Sequence, residues 1–523
     1  MKEFRLLNKV LAVLLTLLMF ASCTQTLPTV IIQTPTAEPT GSLSLPYCAS
    51  DSLNPFFSEG TDNQQLWPLA FLPLYELDEN FTPQPILADS AVQNGNSLQI
   101  TLRAGILTAQ GTPLSIADVL YSFRLAKESP AFKRQLSVFT NIAIGQTADV
   151  LLFTLSRPNI NACSLLTFPI VQYATADKAS DLPAGAGPYS YIKTVDGVSM
   201  VYNPNYYDGN ARTASITLVD AAADASKVFS LKSERIDATF NDLYDGEILR
   251  LSATATVIPM ANLVFLGVNA NNTHTSSAVF RKLLSASLDR QSIVEHAFCG
   301  YAQATCLPVH PSWSALENEA FTDSKQADAE RADQLLKQYE SGDDYESELS
   351  DGEEPEAEDL LKPEQTNYVL KLICCKGNDF KTGAAAQVSE QLSVANINVS
   401  VVELEEEAYY EAIREGNYDL YLGEVRMSAD MDQSVFLVSG GSLGWGIDNE
   451  SITCGAMWDA YCAGTVTLGD YLSAFAKELP FIPLCFRQGI FYTARSLVNE
   501  VFCTPENLYK NITVWEKAST EEP

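Results

Sequence analysis

Residues 368–425 carry the pattern that decides the fold: YVLKLICC at 368–375, AAAQVSEQLSVAN at 384–396, INVSVVEL at 397–404, YYEAIREGN at 409–417 and YDLYLGEV at 418–425. The first, third and fifth pieces are short apolar runs of strand length, whereas the second and fourth repeat apolar residues at helical spacing. Strand and helix in alternation predict a βαβαβ unit with a parallel sheet, the helices serving as crossovers. Cys374 and Cys375, adjacent in the first run, should alternate between the faces of a strand, since neighbours bond to each other only with strain.

Working outward, FRKLLSASLDRQSIVEHAF at 280–298 and KQADAERADQLLKQY at 325–339 read as amphipathic helices. The first half is mixed and rich in strands: SLSLPYCAS, LNPFF, NSLQITLRAG, DVLLFTLSRP and, after a glycine turn, the hairpin of PAGAGPYSYIKTVDGVSMVYNPNYYDG. LPFIPLCFRQGIFYTA at 479–494 returns to strand character and is expected to complete the sheet of the first half. In TLRAGILTAQGTPLSIADVLYSFR, 101–124, Ser115 and Asp118 stand three apart after a Gly-Thr-Pro turn. With no histidine nearby, they read as a capping box at a helix start rather than a catalytic pair.

The first 22 residues join a basic head (Lys2, Arg5, Lys9) to an apolar stretch ending Ala21-Ser22 before Cys23. This is the plan of an export signal, and the cysteine is the expected lipidation site. Residues 23–41, rich in Thr and Pro, read as a tether. Nothing later offers about twenty uninterrupted apolar residues, so the membrane is expected to be reached through the lipid anchor only. The remaining chain, about 480 residues, is enough for two or three compact units.

A balance of 33 basic against 65 acidic side chains, −32 formally, argues against nucleic acid as a partner. The acidity peaks in an insertion at about 340–365, expected to be solvated and disordered. Apart from Cys23 there are ten cysteines, with Cys299/Cys306 and Cys454/Cys462 the nearest pairs that could bond, connectivity remaining open. There is no C-x-x-C and no H-E-x-x-H, and the histidines are His274, His296 and His310, so neither a metal nor a cofactor is expected.

The order of LNPF (53–56), PQPILADS (83–90), LRAGILTAQGTPLSIADVLYSF (102–123), GAGPY (185–189), YNPNYYDG (202–209), FRKLLSASLDRQSIV (280–294), YDLYL (418–422) and FIPL (481–484) resembles the family 5 extracellular solute-binding proteins. These are the oligopeptide and dipeptide receptors of ABC importers, and the resemblance covers nearly the whole mature length. The resemblance implies an α/β, periplasmic-binding-protein-like class II clamp: two lobes of mixed sheet and helices joined by two hinge strands. Residues 42–260 plus 481–515 would form the N-terminal lobe, with an inserted subdomain at about 67–184. Residues 261–480 would form the C-terminal α/β lobe, with hinges near Met260–Leu266 and Lys477–Ile482.

By the same resemblance the ligand is a peptide lying extended between two edges, Glu59, Gly60 and Thr61 on one and Arg426, Met427 and Ser428 on the other. Asp430 would pair with its α-ammonium, and Trp445, in the glycine-rich GGSLGWG at 440–446, would line the cleft. The family's aromatic before this aspartate is replaced here by Met427. The implied partners are a peptide ligand and a membrane ABC permease, with the protein a monomer on the extracytoplasmic face. A peptide-sensing receptor needs the same clamp, and sugars or metal chelates are further ligands for the scaffold. The best case for an enzyme, Cys299 activated by His296, supplies no oxyanion hole, so turnover is not expected.

Overall fold

The computed structural model describes residues 39–518, apart from 210, 222–223, 318, 343–366 and 439. The export signal, Cys23, nearly all of the tether and most of the acidic insertion lie outside the described residues.

The βαβαβ pattern folds as its alternation dictates. Tyr368–Cys375 runs parallel to both Ile397–Leu404 and Leu420–Arg426, and Asp379–Val394 and Glu406–Glu415 are the crossover helices. The first helix starts earlier than its apolar spacing suggests because Asn378 caps it, its Oδ1 accepting the Lys381 N–H at 3.0 Å. Gly416, at φ 70°, ends the second, where the left-handed conformation favours glycine.

This unit is one side of a seven-stranded sheet. Beyond Leu420–Arg426 the sheet continues antiparallel through Thr254–Val268 and Phe481–Thr493 to Ala238–Asn241, with Ala302–Ala304 also paired to Phe481–Thr493. The C-terminal return lies in this sheet between Ala238–Asn241 and Thr254–Val268, rather than in either of the first half's four-stranded sheets. It pairs with Thr254–Val268 from Thr493 to Phe481. Every residue of Phe481–Thr493 except Gln488 is buried, which suits a central strand covered on both faces.

The first half supplies two four-stranded sheets: Gly41–Tyr47, Thr213–Asp220, Gly197–Tyr202 and Tyr189–Thr194, then Ala88–Asn94, Ser97–Leu102, Val150–Leu155 and Phe139–Ile144. On the second, the helix Ile116–Glu128 packs through Phe123, whose ring meets Phe139, Phe153 and Phe168 edge-on. Its start is the capping box: Asp118 Oδ2 accepts both the N–H and the hydroxyl of Ser115 at 2.7 Å. The other Asp118 oxygen accepts the Tyr173 N–H at 2.7 Å, tying the helix to the following loop. In GAGPY, a Cβ on Gly187 would stand 2.4 Å from the Ala70 carbonyl carbon, so this motif exists to let two backbones touch.

Two hydrophobic cores result. The larger is built on the seven-stranded sheet; the other holds the first-half sheets and the 508–515 segment. Both long central strands contribute to both: Ile258 and Phe491 belong to the smaller core, whereas Leu263–Leu266 and Phe481–Phe486 supply the larger. Towards the end of strand 481–493 the side chains alternate between the cores, Ile490 and Tyr492 in the larger and Phe491 in the smaller.

All ten cysteines among the described residues are free. Cys454 and Cys462 sit in one helix, Cys454–Cys462, and Cys299 is exposed while Cys306 is half-buried, so neither pair bonds. No helix among the described residues is long and apolar enough to cross a membrane.

Candidate functional site

A cavity of about 860 Å³ opens between the two cores. Phe71, Tyr75 and Tyr509 of the smaller core and Phe81 and Met427 of the larger line it. Aromatic faces of this kind, with a few fixed polar groups, give a pocket both contact area and orientation. The charged groups come partly in pairs: Lys510 with Glu76, and Arg426 with Glu506 at 3.4 Å. Arg134, exposed on the rim, has no ion-pair partner among the described residues.

Of the residues singled out in the sequence, Thr61, Arg426, Met427 and Ser428 line this cavity; Glu59, Gly60, Asp430 and Trp445 do not. The reason for Glu59 and Gly60 is local. Their N–H groups donate to the two oxygens of Asp51, at 3.1 and 3.0 Å, and Gly60 then opens the short helix Thr61–Gln64. Those donors are occupied, and this segment is not an extended edge. On the other side Arg426 ends a strand paired with Asn262, and the Met427 N–H donates to Ala261 O at 2.7 Å. Trp445 is 39% exposed in its loop, its Nε1 donating to Ser442 O.

Asp430 is the most constrained of the set. It is buried, and its oxygens accept from Ser428 Oγ at 2.6 Å and from the Asn159 amide at 2.8 Å. Burial and the neighbouring charge of Asp432 push its carboxyl up to about 6, against the pull of those two hydrogen bonds. Around it the 157–161 segment forms a polar seam with residues some 300 positions later. Arg157 pairs with Asp432 at 2.9 Å and Asp459 at 3.3 Å, Asn161 donates to Tyr461 Oη at 3.2 Å, and the Ile160 N–H donates to Cys462 O at 2.9 Å.

Sequence reasoning missed Arg157, Asn159 and the 505–514 segment of the cavity wall. Arg157 stood at the end of the expected strand DVLLFTLSRP and Asn159 just past it, and only the tertiary contact reveals them. Tyr206 and Tyr207 also line the cavity, and the doubled aromatic of YNPNYYDG was a signal that could have been followed.

On the sheet itself Glu424 is held by Arg487 at 2.8 Å, Lys381 at 3.2 Å and the Asn262 amide at 2.9 Å. These groups hold its carboxyl below the usual range despite burial. His296 Nδ1–H donates to the Ser292 carbonyl at 2.8 Å within its own helix, and Cys299 lies past the end of that helix with φ 52°. No cluster of three or more metal-ligating side chains occurs among the described residues.

Two cores threaded by the same two strands, with a large cavity between them, define a clamp-type ligand-binding protein. Residues 82–445 match the bacterial extracellular solute-binding proteins, family 5, over the middle region of that family, and the chain belongs to this family. It is 25% identical over 292 residues to protein XP55 of Streptomyces lividans, covering 50% of this chain and 51% of that protein. It is 22% identical over 278 residues to the glutathione-binding protein GsiB of Escherichia coli K12, covering 50% and 54%. The chain spans about half the length of the curated relatives it matches. In structure it resembles the ABC transporter substrate-binding protein CtaP of Listeria monocytogenes, with a TM-score of 0.69 at 16% identity, covering 92% of this chain and 100% of the other. The fold is that of the class II periplasmic-binding proteins.

Proposed function

We propose that this chain is the substrate-binding component of an ABC importer, a non-enzymatic clamp that captures a peptide or peptide-like ligand and delivers it to a membrane permease. The observation that carries this reading is the cavity of about 860 Å³ between the cores, within the size range of pockets that enclose small ligands. GsiB, a relative named for a tripeptide ligand, supports the peptide class. The lobes correspond to the two cores, and the paired strands Thr254–Val268 and Phe481–Thr493, which contribute to both, serve as the hinge. Closure of the lobes shifts the population towards the form a permease recognises. Thr61, Arg426, Met427 and Ser428 are placed against the ligand, and Cys23 carries the lipid that holds a monomer on the extracytoplasmic face.

The test is mass spectrometry of ligands released from natively purified protein, followed by a thermal-shift screen of peptides, sugars and chelates. A ligand at one hundred times its Kd stabilises the fold by about 2.7 kcal/mol. A screen in which peptides leave the melt unchanged while a sugar or chelate raises it would replace the ligand class. Loss of metabolic palmitate labelling in Cys23→Ser checks the anchor.

A second reading concerns the ligand's end. Asp430 is already satisfied by Asn159 and Ser428, which favours a ligand without a free α-ammonium at that position. Should Asp430 anchor an ammonium, Asp430→Ala would weaken free peptides far more than N-acetylated ones; equal effects support the second reading.

A further inference from the structure

A second cavity, of about 460 Å³, lies among the helices Ala278–Ala286, Ala329–Ser341 and Leu468–Glu478. It shares no lining residue with the first. Among the described residues its charged lining is Lys282, Arg290, Arg331 and Lys477 against one acid, Asp328. In a chain with 65 acidic side chains against 33 basic, that ratio runs opposite to the composition. Asp328 is moreover occupied as a helix cap, its Oδ1 accepting the Arg331 backbone N–H at 2.9 Å.

Arg290 is the informative member. It is 2% exposed, and its guanidinium donates to Pro483 O at 2.8 Å, Ser285 O at 3.1 Å and Ser285 Oγ at 2.7 Å. Three of an arginine's five N–H donors are thereby taken, and none of the acceptors is a carboxylate. Asp323 acts on it through space without forming an ion pair, and itself accepts from Thr305 Oγ1 and the Cys306 N–H. A buried cation without an adjacent anion is poorly compensated, and an oxyanion with charge to spread over several donors is the complement it lacks. Arg331 and Lys477, more exposed than Arg290, have no ion-pair partner among the described residues and stand at the same cavity.

We infer that this second cavity is an anion site for a compact multivalent oxyanion, a phosphate or a di- or tricarboxylate, with Arg290 at its floor and Arg331 and Lys477 at its entrance. The forked geometry of a guanidinium suits paired oxygens, which both sources supply.

The experiment is isothermal titration of the full chain with inorganic phosphate and, separately, with citrate, at constant ionic strength set by sodium chloride. Saturable binding of either anion is expected, weakened by about tenfold or more in the double variant R331Q/K477Q. The melting temperature of that variant without anion should match the parent's. Binding of phosphate alone assigns a phosphate group, binding of citrate alone a polycarboxylate. R290K keeps the charge, loses the fork and is expected to weaken binding further; if it fails to fold, the double variant still decides. Heats indistinguishable from chloride for both anions, or binding unchanged in R331Q/K477Q, overturn the assignment.

Discussion

The side-chain amide of Asn159 donates to the carboxylate of Asp430 at 2.8 Å, joining segments 271 residues apart beside the cavity. The contact lies where burial and Asp432 have already raised the carboxyl's pKa. A carboxyl whose folded pKa, about 6, exceeds its ordinary value of 3.8 holds its proton better folded than unfolded. Its contribution to stability is therefore greatest at low pH and falls as pH rises from about 4 to 6. Asp430→Asn, which cannot ionise, should remove that fall. Chemical denaturation at pH 4, 5, 6 and 7 checks this: the variant's stability relative to the parent should improve with pH, and a constant difference would remove the shift.

Arg157 closes the same seam with a half-exposed guanidinium shared between Asp432 and Asp459. Partial exposure screens the pair, so Arg157→Gln should lower stability by only about 1 kcal/mol. Its larger effect should be on shape. If the seam holds the lobes together, small-angle scattering of the ligand-free variant should give a greater radius of gyration than the parent, and an unchanged radius would limit the seam to a local role.

Glu424 is a stronger case because it is buried between two cations. Glu424→Gln leaves Arg487, 2% exposed, beside a neutral amide. Removing one member of a buried pair typically destabilises by about 3–5 kcal/mol. The depressed pKa of Glu424 adds stability that is present above its ordinary value of 4.5 and lost as pH falls through the folded pKa. Melting curves of parent and variant should therefore converge in acid.

The capping box gives a prediction with no ligand in it. Ser115→Ala should lower stability by about 1 kcal/mol and leave ligand affinity unchanged. Calorimetry together with a binding titration tests both halves, and an affinity loss without a stability loss would reopen a functional role for Ser115.

The cavity wall predicts the reverse pattern. Arg426→Ala removes an exposed ion pair with Glu506 at 3.4 Å, so stability should scarcely move. A carboxylate-bearing ligand identified by native extraction should lose affinity by about tenfold.

Local pattern and tertiary contact divide what could be read from the sequence. The βαβαβ unit was legible because strand and helix periodicities are properties of short windows, and the Ser115–Asp118 cap because its partners are three residues apart. For the return strand, an all-apolar run says that a strand is central but not which neighbours it has, and its pairing with Ala238–Asn241 and Thr254–Val268 is read only from the fold. Asn159 and Arg157 were invisible for the same reason: a loop amide and a loop guanidinium acquire meaning only when a segment some 270 residues away is brought against them. Spacing placed Glu59 and Gly60 at a ligand edge without accounting for Asp51, whose carboxylate takes both of their N–H groups.

The strands Thr254–Val268 and Phe481–Thr493 lie side by side and feed both cores. No single cut in the chain can separate two self-sufficient fragments, because either piece would leave behind a strand that the other's interior is built around. Chimeras that exchange one half of this molecule with a relative must transplant both strands together, or inherit a seam that neither parent was selected to pack.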